Sequence, residues 1–280
     1  MTIEAHDTKK LYKQLCKYMP EHDARFLLKE RSGVEWGDLL AGSNPQITEE
    51  QAATIKNDLE RTKSGEPISR ILGHQEFWGL KFKISKDTLD PRPDTEVLVE
   101  RALQHFGSNH PETLLDLGTG SGCIAIALLS EWPNTQALAT DLSPGALETA
   151  KENAKIHGVE NRIRFVNTSW LNSVTENFDC IVSNPPYIKG SVMANLDENV
   201  KNFDPILALE GGEDGLQDYK KIFSSLNEVL KPAGRAFLEI GYDQQEDIMR
   251  LGKEYRIRIE GVFPDYAGNP RVVDISSGDK

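Results

Sequence analysis

The residues best suited to chemistry are Asn184-Pro185-Pro186-Tyr187, which follow the apolar run Phe178 to Ser183. Such a run reads as a buried strand, and two successive prolines cannot continue a sheet, so the strand ends in a turn of stiff backbone. The turn offers the Asn184 carboxamide, the backbone carbonyl of Pro185 and the aromatic face of Tyr187, with Pro186 stiffening the slot between them. Two acceptors and a π face suit a planar NH2 group beside a cation. An amide nitrogen is a poor nucleophile because its lone pair is delocalised, so a site that accepts both N–H bonds and aims the lone pair at a methyl group is the chemistry to expect. Orientation of two reactants supplies roughly 7 to 11 kcal/mol, so the first step requires no general base. A nearby ring adds about 0.5 to 2 kcal/mol for a positive donor. The plainer reading is an Asn-Pro turn that closes a core strand.

The elements that must position this turn begin at Thr113, where strands alternate with helices as in a doubly wound, mostly parallel α/β sheet. The first strand, Leu114 to Leu117, runs into Gly118-Thr119-Gly120-Ser121-Gly122 and an apolar helix, Ile124 to Leu129. The GxGxG spacing differs from the dinucleotide GxGxxG, and there is no P-loop run. The second strand, Ala137 to Thr140, ends in Asp141, which reads either as an acceptor for both hydroxyls of a ribose or as the cap of the helix from Pro144 to His157. After the third strand, Ile163 to Val166, Trp170 is placed to lie on an adenine ring or to pack in the core. Gly234 to Gly241 reads as a central strand, and Ile257 to Phe263 with Val272 to Ser276 as a final pair. In this architecture the strand ends line one crevice, so the glycine turn, Asp141, Trp170 and Asn184 together describe a pocket for an adenosine with a short charged tail and no pyrophosphate. S-adenosylmethionine fits that description, with S-adenosylhomocysteine as its product.

Three segments are expected. Residues 1–72 read as a small helical bundle for packing or partner docking, with Leu11, Leu15, Ile55 and Leu59 at helical spacing and Thr48 to Gln51 as a capping box. Residues 73–93 read as a hairpin linker, in which Phe77 and Arg92 form either the outer wall of a substrate slot or interdomain packing. Residues 94–280 read as the catalytic domain, its first helix capped by Asp94. The 280 residues carry a formal charge of -12, unlike a protein that grips phosphates. The 3 cysteines, Cys16, Cys123 and Cys180, are scattered, and no histidine joins a ligand pattern, so no metal is expected. Met1 to Lys10 is polar rather than a signal sequence and no apolar run reaches a membrane span, so a cytoplasmic monomer without membrane or stable nucleic-acid partners is expected.

With these residues in view, the chain resembles the HemK/PrmC family, the glutamine-N5 methyltransferases of peptide chain release factors. The resemblance rests on Glu76-Phe77-Trp78-Gly79, Pro91-Arg92-Pro93-Asp94-Thr95-Glu96, Asp116 to Gly122, the Asn-Pro-Pro-Tyr turn and Asp265-Tyr266-Ala267-Gly268 with Arg271. It implies a class I methyltransferase fold behind a helical domain, and methylation of the glutamine in the Gly-Gly-Gln loop of release factors. Carried over, Gly118, Thr119, Gly120, Ser121, Gly122, Asp141, Trp170 and Asn184 hold S-adenosylmethionine. Asn184 and Pro185 accept the glutamine NH2, Pro186 and Tyr187 complete the slot, and Phe77 and Arg92 form its outer wall. The chain departs from the family pattern at Ser169, where aspartate is common, and at Asp90, where an aliphatic residue is usual and a wetter entrance follows.

Three other readings compete. The same chemistry on a ribosomal-protein glutamine goes with a different proline-arginine stretch. Methylation of an exocyclic amino group of a nucleic-acid base uses a similar acceptor geometry, against which the acidic balance counts. A non-catalytic adaptor would be expected to have lost Gly118, Asp141, Asn184 or Tyr187, and all are present.

Overall fold

Apolar residues at helical spacing, broken by proline and glycine, dictate the first unit. The computed structural model describes residues 7–277, so Met1 to His6 of the polar N-terminal stretch lie outside the described residues. The chain divides into two compact units, Met1–His74 and Gln75–Lys280. In the first, α1 (Thr8–Leu15), α2 (Glu21–Ser32), α3 (Trp36–Leu40), α4 (Glu49–Lys63) and α5 (Ile68–Leu72) bury Leu11, Leu15, Leu27, Ile55 and Leu59 in one cluster. The capping box is formed: the Gln51 N–H donates to Thr48 Oγ1 at 3.1 Å and the Thr48 N–H to Gln51 Oε1 at 2.9 Å.

At the start of the second unit come a hairpin, β1 (His74–Phe77, its first residue the last of the first unit) and β2 (Leu80–Lys83), and a 3-10 turn, Pro93–Thr95, that leads into α6 (Glu96–Phe106). Then come β3 (Thr113–Leu117), α7 (Cys123–Glu131), β4 (Gln136–Asp141), α8 (Pro144–Ile156), β5 (Ile163–Asn167) and β6 (Phe178–Ser183). The chain continues through α9 (Gly190–Met193), α10 (Glu198–Phe203), α11 (Gln217–Val229), β7 (Leu230–Glu239), α12 (Gln245–Glu254), β8 (Arg258–Pro264) and β9 (Pro270–Ser276). Among the described residues the larger sheet has seven strands in the order β5-β4-β3-β6-β7-β9-β8. Pairs from β5 to β7 are parallel, and β9 runs antiparallel to both β7 and β8.

Both faces of this sheet are covered at its centre, which is why the central strands are mostly apolar. Side chains alternate between two cores, as the two-residue strand period requires. Leu114, Cys180, Val182 and Phe237 enter one with α6 and α7, while Leu115, Ile181, Ala236 and Leu238 enter the other with α11 and α12. Helix α7 is apolar all round because Cys123 to Leu129 is buried throughout. Among the described residues no helix is long and apolar enough to cross a membrane.

Two expectations are corrected here. Asp94 does not cap α6: Pro93 starts the helical backbone early, Asp94 falls inside the 3-10 turn, and its carboxylate pairs with Arg271 at 3.3 Å. Phe77 is no pocket wall. It is 1% exposed in the core, edge-on to Phe82 at 6.2 Å, because the strand period turns it and Phe82 to the covered face of the hairpin.

Asn153 of α8 ties the hairpin to the glycine turn. Fully buried, it accepts from the Lys83 N–H at 2.8 Å and donates to the Lys83 and Ser121 carbonyls at 2.9 and 2.8 Å. Asn153→Ala strands these backbone groups and is expected to lower unfolding free energy by roughly 2 to 4 kcal/mol. Urea titration with an unchanged midpoint would contradict this role.

Candidate active site

Chain order places the site. From β3 the chain winds outward through β4 to β5, then returns to β6 on the other side of β3. The loops after β3 and β6 therefore diverge and leave a crevice at the carboxyl edge. A cavity of about 380 Å³ lies there, and its walls include Gly118 to Ser121, Asp141, Ser169, Trp170, Asn184 and Pro186. Arg92 lies on the same wall and pairs with Asp204 at 2.7 Å. Asp90, expected to wet the entrance, is 7% exposed within the lining.

The glycine turn is shaped by backbone conformation. Gly118, Gly120 and Gly122 have φ of 69°, 56° and 82°, in the left-handed region that suits glycine. The Asp141 carboxylate braces this turn, accepting from the Gly120 and Ser143 N–H groups at 2.8 Å each. Helix α8 is capped by Ser143, so the alternative of Asp141 as a helix cap is removed. Burial raises the Asp141 pKa, against the pull of those N–H donors. Trp170 has φ of 49° and donates from its indole to Asp218 at 3.0 Å. A Cβ on Gly118 would stand 3.3 Å from the Trp170 ring, so the ring lies over the turn.

The tetrapeptide is held from behind. Asn184 Nδ2 donates to Thr95 Oγ1 at 3.2 Å, and Thr95 Oγ1 donates to Glu239 Oε2 at 2.6 Å. Tyr187 Oη donates to Glu239 Oε1 at 3.3 Å, and Arg271 Nη1 lies 3.5 Å from that hydroxyl. Glycines make room for the turn: a Cβ on Gly211 would sit 2.7 Å from the Pro186 carbonyl, and one on Gly215 2.6 Å from that of Tyr187. Asn184 and Pro186 line the cavity, whereas Pro185 is buried and neither it nor Tyr187 is part of the lining. Tyr187 is in addition an anchor, because its hydroxyl is drawn to the buried Glu239.

The charge of the walls discriminates between ligands. The carboxylates Asp87, Asp90, Asp141, Glu210 and Asp218 face two cations, Arg92 and Lys221, which favours a cationic ligand and opposes a pyrophosphate. Behind these walls Asp116 is fully buried, its pKa raised to about 7 by burial against the pull of the Thr119 hydroxyl and the nearby Ala125 N–H. Its Oδ2 accepts from Thr119 at 2.6 Å, while the enclosed Oδ1 has no partner of hydrogen-bonding geometry among the described residues. A braced glycine turn, a ring above it and surplus negative charge fit S-adenosylmethionine. Thr95, Asp116, Asp218 and Glu239 were not anticipated as site residues. The signal for Glu239 was a carboxylate ending an apolar strand, a position that demands a partner.

Fold and site together define a class I methyltransferase. Residues 82–203 match the methyltransferase small domain family and residues 10–73 the PrmC N-terminal domain. A release factor glutamine methyltransferase of Agrobacterium fabrum is 40% identical over 258 residues, which cover 91% of this chain and 89% of that protein. The chain belongs to the release factor glutamine methyltransferase family. In structure it is similar to a ribosomal protein L11 methylase from Lactobacillus delbrueckii (TM-score 0.52, 25% identity, 68% of this chain and 83% of that one). The hMettl16 catalytic domain shares the fold (TM-score 0.60, 15% identity, 96% and 93% covered).

Gly118→Ala must place a side chain at positive φ and against Trp170, a strain on the order of 1 to 2 kcal/mol. The variant is expected to lose thermal stability, to shift its tryptophan fluorescence and to bind S-adenosylhomocysteine more weakly. Wild-type affinity by calorimetry would show that the ring does not depend on the glycine.

Proposed function

We propose that the protein transfers the methyl group of S-adenosylmethionine to the side-chain amide nitrogen of the glutamine in the Gly-Gly-Gln loop of peptide chain release factors. When bound, S-adenosylmethionine supplies an electrophilic methyl group on a sulfonium. The observation that carries the reading is the orientation of Asn184. With its NH2 committed to Thr95, its Oδ1 is the carboxamide atom left for the cavity that Asn184 lines.

In this account Asn184 Oδ1 accepts one N–H bond of the substrate amide, and the backbone carbonyl of Pro185, whose residue lies behind the cavity lining, accepts the other once the amide enters the turn. That holds the nitrogen lone pair on the approach to the methyl carbon and offsets the positive charge that grows on nitrogen as the carbon–sulfur bond breaks. The nitrogen then gives up a proton to solvent. Pro186 and Arg92 bound the slot. Gly118 to Gly122 and Asp141 hold the methionine and ribose parts of the donor, Trp170 covers the adenosine, and the Ser169 hydroxyl or a water takes the adenine amino group.

The helical unit, read as residues 1–72 and joined by 73–93 to a catalytic domain of 94–280, serves to dock the release factor. The enzyme works as a cytoplasmic monomer without a stable nucleic-acid partner. The acidic cavity supports a protein amide over a nucleic-acid base as substrate.

Two substitutions separate the roles. Asn184→Ala is expected to lower kcat about 100-fold or more, the scale for losing one preorganised polar contact in a transition state, and to weaken the Kd of S-adenosylmethionine far less. Asp141→Ala is expected to weaken that Kd about 10-fold or more, since hydrogen bonds to a charged group are worth roughly 1.5 to 3 kcal/mol. Equal losses of turnover and affinity in Asn184→Ala, or unchanged affinity in Asp141→Ala, would refute the respective role.

A further inference from the structure

We propose that Thr95 and Glu239 are positioning residues that select one of the two carboxamide orientations of Asn184, so that turnover depends on Glu239 being ionised. The proposal rests on the functional reading above and extends it to two residues that do not touch the reacting atoms.

The protons along one chain of contacts fix the orientation. A threonine hydroxyl has a single proton. An ionised Glu239 has none, so at 2.6 Å the Thr95 proton must point to Oε2. Thr95 then faces Asn184 with lone pairs alone, and the Asn184 atom at 3.2 Å must be the NH2 group. Rotation of the carboxamide by half a turn would oppose two acceptors in a part-buried place, so Oδ1 stays toward the cavity. A proton on Glu239 Oε2 reverses the logic. Glu239 becomes the donor, the Thr95 proton is released, and Thr95 satisfies Asn184 Oδ1 as well as its NH2. The orientation that accepts a substrate N–H loses its advantage.

The surroundings of Glu239 hold this balance close. It is 2% exposed, and burial raises its pKa to about 7 against the lowering pull of Thr95, Arg271 and Tyr187. Arg271 of β9 is 3.9 Å from Oε1 and is shared with Asp265 at 3.1 Å and Asp94 at 3.3 Å. Tyr187 donates to Oε1, and Tyr219 of α11 donates to the Glu239 backbone carbonyl at 2.7 Å. Asp94 adds a repelling negative charge. A raised carboxyl pKa means that the active, ionised form is lost as pH falls through that value, which gives turnover an acid limb.

The test combines Thr95→Val, Thr95→Ser and Glu239→Gln in the full chain with a release factor as substrate. Thr95→Val is expected to lower kcat about 10- to 100-fold, the scale of a small misplacement, while the Kd for S-adenosylhomocysteine stays within about 3-fold. Thr95→Ser restores the hydroxyl and should recover most of that loss, which a purely packing role for the threonine methyl would not allow. The wild-type acid limb should disappear in Glu239→Gln, which assigns it to Glu239 rather than to Asp116. The side-chain amide signals of Asn184, in protein labelled with 15N-asparagine, should titrate in the wild type along the same limb and stay fixed in Glu239→Gln. Wild-type kcat in Thr95→Val, an unaltered acid limb in Glu239→Gln, or Asn184 signals that do not titrate in the wild type would each overturn the proposal. If Thr95→Val does not fold, the Glu239→Gln profile and the Asn184 signals decide. If the wild type leaves the release factor unmethylated, the functional reading fails, and the Asn184 titration still tests the orientation.

Discussion

A mostly parallel sheet covered on both faces concentrates its polar chemistry where the strands end, and the glycine turn, Asp141, Trp170 and Asn184 obey that constraint. Within β3, β4 and β6 the apolar side chains enter one of two cores, as the alternation of Leu114 with Leu115 and of Ile181 with Val182 demonstrates. Polar groups are tolerated at the carboxyl edge, where Gly118, Asp141, Trp170 and Asn184 follow four neighbouring strands. The reversal of winding direction between β5 and β6 then opens the edge into a cavity. The fold thus decides where chemistry is possible, and the residues at the four strand ends decide which chemistry.

The same constraint explains Glu239. It ends β7, next to Ala236, Phe237 and Leu238, and a lone carboxylate there would be costly. The structure answers with a hydroxyl from Thr95, a hydroxyl from Tyr187 and the guanidinium of Arg271, each from a different segment. Those partners join the Pro93–Thr95 turn, the tetrapeptide and β9 into one polar assembly behind Asn184. Orientation of the carboxamide is therefore a property of the whole assembly. Family stretches that looked separate in the sequence, around Thr95, Asn184 and Arg271, meet on one buried oxygen pair.

Much of this was legible in the sequence, for physical reasons. Alternating apolar runs and glycine turns announced the parallel sheet, and the stop forced by Pro185 and Pro186 announced the turn after β6. Thr48 and Gln51 marked the start of α4 because a capping box uses local contacts alone. The rest depends on contacts beyond the local sequence pattern. Asp94 has the residue type and spacing of a cap, but Pro93 begins a 3-10 turn that takes it in. Phe77 looked like a pocket wall because an aromatic in a hairpin is not told inside from outside until the covered face is known. Tyr187 offers a ring and a hydroxyl, and the partner of the hydroxyl, Glu239, lies 52 residues away.

The central claim is that the carboxamide site at Asn184 serves a protein glutamine. Its most direct test is incubation with labelled S-adenosylmethionine and, separately, a purified release factor, a ribosomal protein fraction and DNA, followed by mass mapping of each product. The account predicts a single added methyl group on the glutamine of the Gly-Gly-Gln loop of the release factor. Label confined to the ribosomal fraction or to DNA would leave the methyl-transfer site standing and contradict the substrate.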